Sequence, residues 1–413
     1  MGLVWRNWLM HPARTADPYP SLNLLRLVPL LMSETAVRGR LDHIDAMRAI
    51  AVLLVMWTHY AELYAQIAGS QHVLDTLQRS VNFGRVGVVI FFGISGLLIP
   101  SSLRGSLRDG TRRFVIRRFF RLYPAFWLSI PIGYLAYWTL FGQQMSVLDV
   151  LANLSMIPTA FGHDAVMSHY WTLETELYFY GLCLALFWLG ALHRMRDLCF
   201  TCIGLCALFI VTSALKIIPP TALGQYKGML FHLAIMFWGA CFRQAYDKPQ
   251  MQVVFATWQN GKRSLSMSYR TALAALTAML LGISLLMAAL DLHKHDMVHL
   301  SASIGYVVGI GAFILFASVM KIHLRLFAWL GEISYSIYLL HGVPLYVIYW
   351  YCKGHGLTGG PLGLYMALTI PPAIALAWLS YRLVEATSIR LGHTLTSGRK
   401  PIVTESFESS VPH

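Results

Sequence analysis

Asp45-Ala-Met-Arg48-Ala-Ile-Ala-Val-Leu-Leu-Val-Met-Trp-Thr-His59-Tyr-Ala-Glu62 opens an apolar run over residues 45–65. A run of that length reaches the roughly 20 residues a helix needs to cross a bilayer. Nine further runs lie near 83–100, 124–141, 171–192, 198–218, 227–243, 271–290, 300–320, 329–350 and 361–385. All are continuously apolar, whereas barrel strands would alternate over about ten residues. The expected fold is therefore all-α, a polytopic bundle of about ten transmembrane helices.

Composition supports that reading and redirects the charge. Hydrophobic residues make up 56% of the 413 and charged residues only 12%, against about 25% charged in soluble domains. In a soluble protein a net charge of +13 would point to nucleic acid, but here its distribution reports topology instead. Assigning segments to alternate sides places 26 of the 32 Lys and Arg on one side. The other side receives Arg79, Arg85, Lys216, Lys227, Lys294 and Lys353. By the positive-inside rule both termini are cytoplasmic, membrane lipids are partners, and nucleic acid is not.

Residues 1–40 are expected to form a cytoplasmic N-terminal extension. Its apolar stretch Leu22–Met32 is broken by Arg26 and Pro29, too short to span; Met32 is an alternative start. Residues 391–413, polar and Ser-rich, are expected to form a disordered cytoplasmic tail. Between them, 41–390 is the membrane domain. Cys183, Cys199, Cys202, Cys206, Cys241 and Cys352 lie almost entirely in apolar runs, where cysteine acts as a small hydrophobe. No disulfide framework is expected, and no metal, because the Cys199-Cys202-Cys206 spacing has no neighbouring His or acidic ligands. The loop carrying His293, His295 and His299 is expected to be solvated.

Ionisable groups at membrane depth are costly and face a cavity or a partner. Arg48 and His59, eleven residues apart, project from one helical face about 16 Å apart along the axis. That separation suits two parts of one long ligand. Neutral His59 can accept a proton, and Glu62, one turn on, can orient its ring. The plainer alternative stays open: a snorkelling Arg48 and a helix-to-helix hydrogen bond from His59. In Arg117-Arg118-Phe-Phe-Arg121-Leu-Tyr123-Pro124, Arg118 and Arg121 are i,i+3 neighbours suited to phosphate, although arginine clusters also set topology and hold anionic lipid. The small residues of Phe91-Phe92-Gly93-Ile-Ser95-Gly96 permit close helix packing. Trp171, Glu174 and Glu176 sit at an outer rim suited to a sugar, with Glu174 favoured as the functional carboxylate. His341, in Ser334-Tyr-Ser-Ile-Tyr-Leu-Leu-His341, falls near mid-membrane and can line the same cavity or bond a neighbouring helix.

Taken in order, these motifs, with Tyr381-Arg382-Leu-Val-Glu385 closing the series, resemble acyltransferase family 3, membrane proteins that O-acylate sugars. The resemblance covers about residues 41–385. Two local departures are Ile44-Asp45-Ala46-Met47-Arg48 for the usual opening, and Ala386 where a proline often stands. It implies an O-acyltransferase of the cell inner membrane that uses acyl-CoA, most simply acetyl-CoA, as co-substrate with no bound cofactor. Arg118, Arg121 and Tyr123 would bind the donor, and His59 with Arg48 would be catalytic. Glu62, Ser95, Trp171, Glu174, Glu176 and His341 would support the acceptor side. The acceptor would be a glycan or lipid-linked sugar. No hydrolase-like extracytoplasmic domain follows the last run, so the resemblance implies direct transfer or a separate extracytoplasmic transferase as partner. The rival class is a transporter or flippase for a lipid-linked glycan.

Overall fold

The computed structural model describes residues 24–69, 80–216, 228–258 and 263–397. Residues from Asp42 onward form one compact unit, to which everything below refers. Helix α1 spans Leu24–Tyr64, of which Asp42–Tyr64 belongs to that unit. It is followed by α2 (Phe83–Ser102), α3 (Leu107–Tyr137), the short α4 (Val147–Asn153), α5 (Trp171–Trp188), α6 (Met195–Ala214) and α7 (Met229–Asp247). After a hairpin come α8 (Tyr269–His293), α9 (Met297–Ile314), α10 (Arg325–Glu332), α11 (Ser334–Leu340), α12 (Gly342–Gly354), α13 (Leu362–Ser380) and α14 (Ala386–Thr396).

Among the described residues, six helices are long and apolar enough to cross a membrane: Asp42–Tyr64, Phe83–Ser102, Met195–Ala214, Tyr269–His293, Met297–Val319 and Leu362–Thr396. The other four expected spans are also helical but depart from a simple crossing. Of residues 124–141, 124–137 are the later part of α3, whose first turns carry the arginine cluster, and 139–141 form a separate 3₁₀ turn. Those at 171–192 and 227–243 become α5 and α7, of 18 and 19 residues. The run at 329–350 is no single helix. Breaks at Ile333 and His341 divide it into α10, α11 and α12.

Two further differences have local causes. Gln252–Trp258 and Arg263–Ser268 pair as an antiparallel hairpin, β1 and β2, bulged between Val254 and Ala256. Its β-branched and aromatic residues and its Ser-Leu-Ser-Met-Ser alternation suit a strand. Helix α14 runs to Thr396, beyond residue 391 where the tail was expected to begin. The rest of that tail, 398–413, and residues 1–23 of the extension lie outside the described residues. Met32 falls within α1.

The core is layered around α2, which packs on α7 and α9. Glycines set those distances: a side-chain carbon at Gly96 would meet the Met236 carbonyl, and one at Gly93 the Phe313 ring. The six cysteines are all free and buried. Cys202 donates to the Ala234 carbonyl at 3.3 Å, which seats α6 on α7. Among the described residues no group of His, Cys, Asp or Glu is arranged to hold a metal. His299 instead bonds Asp296 in the exposed loop.

Candidate functional site

Helix α1 carries Arg48 and His59 into two different environments. At the Arg48 end, α1, α2, α3, α5 and α11 enclose a cavity of about 130 Å³. Its polar lining comprises Arg48, Ser95, Arg118, Arg121, Thr172, Glu176, Tyr180, Ser334, Tyr335 and Tyr338. Arg48 donates to Asp45 at 2.9 Å. The Arg118 guanidinium lies over the rings of Phe114 and Tyr180, at 5.7 and 5.6 Å. Among the described residues neither Arg118 nor Arg121 has a carboxylate within ion-pair distance. Glu176 Oε1 accepts from Ser95 at 3.1 Å and from Tyr180 at 2.7 Å.

A second carboxylate stands behind these arginines. Glu385 is fully buried in the widened π-helical turn Tyr381–Glu385. Oε2 accepts from Ser336 at 2.7 Å, while Oε1 has no partner among the described residues. Such turns insert an extra residue into a helix and re-aim the side chains around it.

At the other end of the α1 pair, three imidazoles meet. The His59 ring stacks on His341 at 5.4 Å between centroids, with His169 at 6.3 Å from His59 and 4.8 Å from His341. His341 and His169 are buried, whereas 36% of the His59 side chain stays open. His341 sits at the break between α11 and α12, and its Nδ1 faces the Tyr338 carbonyl at 2.8 Å. A carbonyl only accepts, so Nδ1 carries the proton and Nε2 the lone pair. That Nε2, like His169 Nε2, is buried without a partner. Glu62 lies 3.9 Å from His59 Nδ1, outside hydrogen-bond reach.

His169 is delivered by the segment between α3 and α5. Asn153 ties that segment together, donating to the carbonyls of Asp149 and Asp164 and accepting from Val166 N–H. Trp138 Nε1 holds the Val166 carbonyl at 2.9 Å, and Tyr170 meets Ser129 at 2.6 Å. At its exposed edge Asp149 bonds His163 at 2.8 Å. The Ser146 hydroxyl first, then His163, hold the Asp149 carboxyl below the usual carboxylate range.

Two hydroxyls separate the cavity from the imidazoles. Thr172 Oγ1 and Tyr338 OH, both lining the cavity, are 2.5 Å apart. Tyr338 OH also donates to the His169 carbonyl at 2.5 Å.

Of the residues singled out by sequence, Arg48, Arg118, Arg121, Ser95 and Glu176 share the cavity, and His59 joins His341 beyond it. Others go elsewhere. Tyr123 donates to the Ser155 carbonyl and stacks on Phe119. Glu174 is buried outside the lining, accepting from Thr159 and Tyr178. Trp171 packs on Phe92 and His232 and faces Arg85. Sequence reasoning missed His169, Thr172, Tyr338 and Glu385 as site residues. Tyr338 and Glu385 stood inside quoted motifs, and Glu385, a carboxylate in an apolar run, carried the signal that singles out such groups.

Residues 41–382 match a protein family described as an acyltransferase domain. No curated protein and no solved structure matches the chain.

Proposed function

From the premise that the chain belongs to acyltransferase family 3 and is a multi-pass membrane acyltransferase, we propose that it moves an acyl group from acyl-CoA to a sugar hydroxyl. Acetyl is the simplest acyl group, the acceptor is an exported or cell-surface glycan, and the protein works in the inner membrane. One observation supports the reading: three arginines reach a single cavity whose wall residue Tyr338 packs edge-on against the His169 ring, next to His341 with its unpartnered Nε2.

Guanidinium groups hold phosphate through paired charge-assisted hydrogen bonds, so Arg118 and Arg121 take the phosphates of CoA. The pantetheine arm then runs along α1 past Arg48. At 130 Å³ the cavity is narrower than the roughly 300–1,000 Å³ of typical ligand sites. Thr172 and Tyr338 must therefore part for the thioester to reach His59. His59 takes the proton of the acceptor hydroxyl as general base, and the oxygen attacks the thioester carbonyl. Collapse of the tetrahedral adduct expels CoA as thiolate, which recovers the proton from the imidazolium. The products are an ester and CoA-SH.

Radiolabelled acetyl-CoA supplied to the purified protein, with and without candidate glycans, tests this directly. Acceptor-dependent label in the glycan is expected. Failure to bind acetyl-CoA would overturn the donor assignment. Loss of a whole surface glycan from cells lacking the gene, rather than loss of its ester, would favour the flippase.

A further inference from the structure

A second polar cluster lies at the end of α2 remote from the cavity arginines. Arg85, in the first turn of α2, puts its guanidinium over the Trp171 ring at 5.3 Å and the Tyr306 ring at 5.1 Å. Its Nη1 donates to His232 Nε2 at 3.1 Å, and Tyr306 OH contacts the same nitrogen at 2.6 Å. Arginine only donates, so His232 Nε2 holds the lone pair, Nδ1 holds the proton, and the tyrosine hydroxyl must also donate. One acceptor thus serves two donors. Arg85 Nε and His232 Nδ1 are buried with no partner among the described residues.

The charge is as unbalanced as the hydrogen bonding. Among the described residues no carboxylate lies within ion-pair distance of Arg85. The start of a helix carries partial positive charge, so α2 itself disfavours a cation there. A half-buried guanidinium surrounded by donors and aromatic faces is complementary to an oxyanion, which supplies both the charge and the lone pairs.

Position relates this cluster to the imidazoles. Gly84 N–H donates to Thr58 Oγ1 at 2.6 Å, which sets the first turn of α2 level with His59 on α1. Leu98, at the cavity, is thirteen residues further along α2 than Arg85, about 20 Å at 1.5 Å per residue. Phe92 lines the cavity and packs against Trp171 and His232, at 6.3 and 5.3 Å.

We propose that Arg85, with His232 and Tyr306, binds an oxyanion of the acceptor, a carboxylate or phosphate, while the acceptor hydroxyl sits at His59. The substrate class is then an acidic glycan. This inference rests on the acyl-transfer reading, because it assigns the anion to that reaction's acceptor.

The full chain in nanodiscs of phosphatidylcholine tests it, with coenzyme A saturating so that the Arg118–Arg121 cavity is occupied. The probes are methyl glucuronide, methyl glucoside and inorganic phosphate at constant ionic strength, and the readout is the unfolding midpoint. Glucuronide and phosphate are expected to raise the midpoint of the natural protein by a few degrees and glucoside to leave it unmoved. Arg85→Gln should lose the rise, and Arg85→Lys, which keeps the charge, should recover part of it. An unresponsive natural protein, or an equal response from Arg85→Gln, overturns the proposal. So does a rise produced by phosphatidylglycerol in the disc that removes the glucuronide response, because the anion would then be a lipid headgroup. Coenzyme A alone failing to raise the midpoint would instead count against the donor reading and leave the Arg85 comparison readable.

Discussion

The two ends of the α1 pair are built on opposite principles. Around Arg48 basic and acidic groups share one cavity wall: Asp45 accepts from Arg48, and Ser95 and Tyr180 donate to Glu176. Around His59 imidazoles crowd together with Glu62 3.9 Å away, and two buried imidazole nitrogens have no partner among the described residues. An unsatisfied buried acceptor costs about 1–3 kcal/mol. His341 Nε2 is such an acceptor, its lone pair open to a group that brings its own proton. In the proposed reading one end holds the donor and the other carries the chemistry.

The largest test of that contrast is His59→Ala. Loss of a general base lowers the rate about 10²- to 10⁴-fold, and acetyl transfer should fall by that much with membrane insertion intact; undiminished product would erase the distinction between the ends. Next, Arg118→Ala with Arg121→Ala should weaken coenzyme A binding about ten- to a hundredfold, taking about 1.5–3 kcal/mol for hydrogen bonds to charged groups. Unchanged donor affinity in a titration would remove these arginines from the holding end. Glu176→Gln should lower kcat/KM about tenfold, from about 1.4 kcal/mol of lost support to the cavity. A kcat/KM equal to that of the natural protein would make this carboxylate a mere packing element.

The smallest effect concerns the segment that delivers His169. Asp149 has a depressed carboxyl, so its contribution to stability is present above the ordinary carboxylate range and lost as the pH falls through the lowered value. Asp149→Asn should therefore unfold slightly earlier than the natural protein near neutrality, and the two should converge in acid. A constant gap across a pH series of melting curves would show that the pairing with Ser146 and His163 does not order the segment.

Much of this was legible in the sequence because it depends on fixed spacing along single helices. Arg48 and His59, and Arg118 and Arg121, were placed by helical geometry alone, and continuous apolar runs fixed the class of fold. What was not legible depends on contacts between distant segments. His169 reaches the imidazoles through an irregular segment held by Asn153 and Trp138, which no periodicity encodes. Glu174 and Glu176 differ by two positions, and only the orientation of α5 decides that the second meets the cavity. The breaks at Ile333 and His341 fall inside an apolar stretch with no proline between them. Arg85 and His232 were ionisable groups inside apolar runs and deserved the suspicion given to His59; Arg85 was counted only as a topological charge.

Backbone-to-backbone seams leave the bundle with one stiff wall and one pliant wall. Gly87 rests on the Ala51 carbonyl, Gly96 on that of Met236 and Gly239 on that of Gly93, so α1, α2 and α7 touch main chain to main chain. Helices so seated have no side chains between them to repack, and sliding them would open voids. On the facing side α10 is seated the same way, Gly331 resting on the Asp45 carbonyl, and only beyond the break at Ile333 do α11 and α12 carry Tyr338 and His341 around a second joint. Under the acyl-transfer reading, the passage from the arginines to the imidazoles would fall to that articulated stretch beyond Ile333, a shutter hung on a fixed frame.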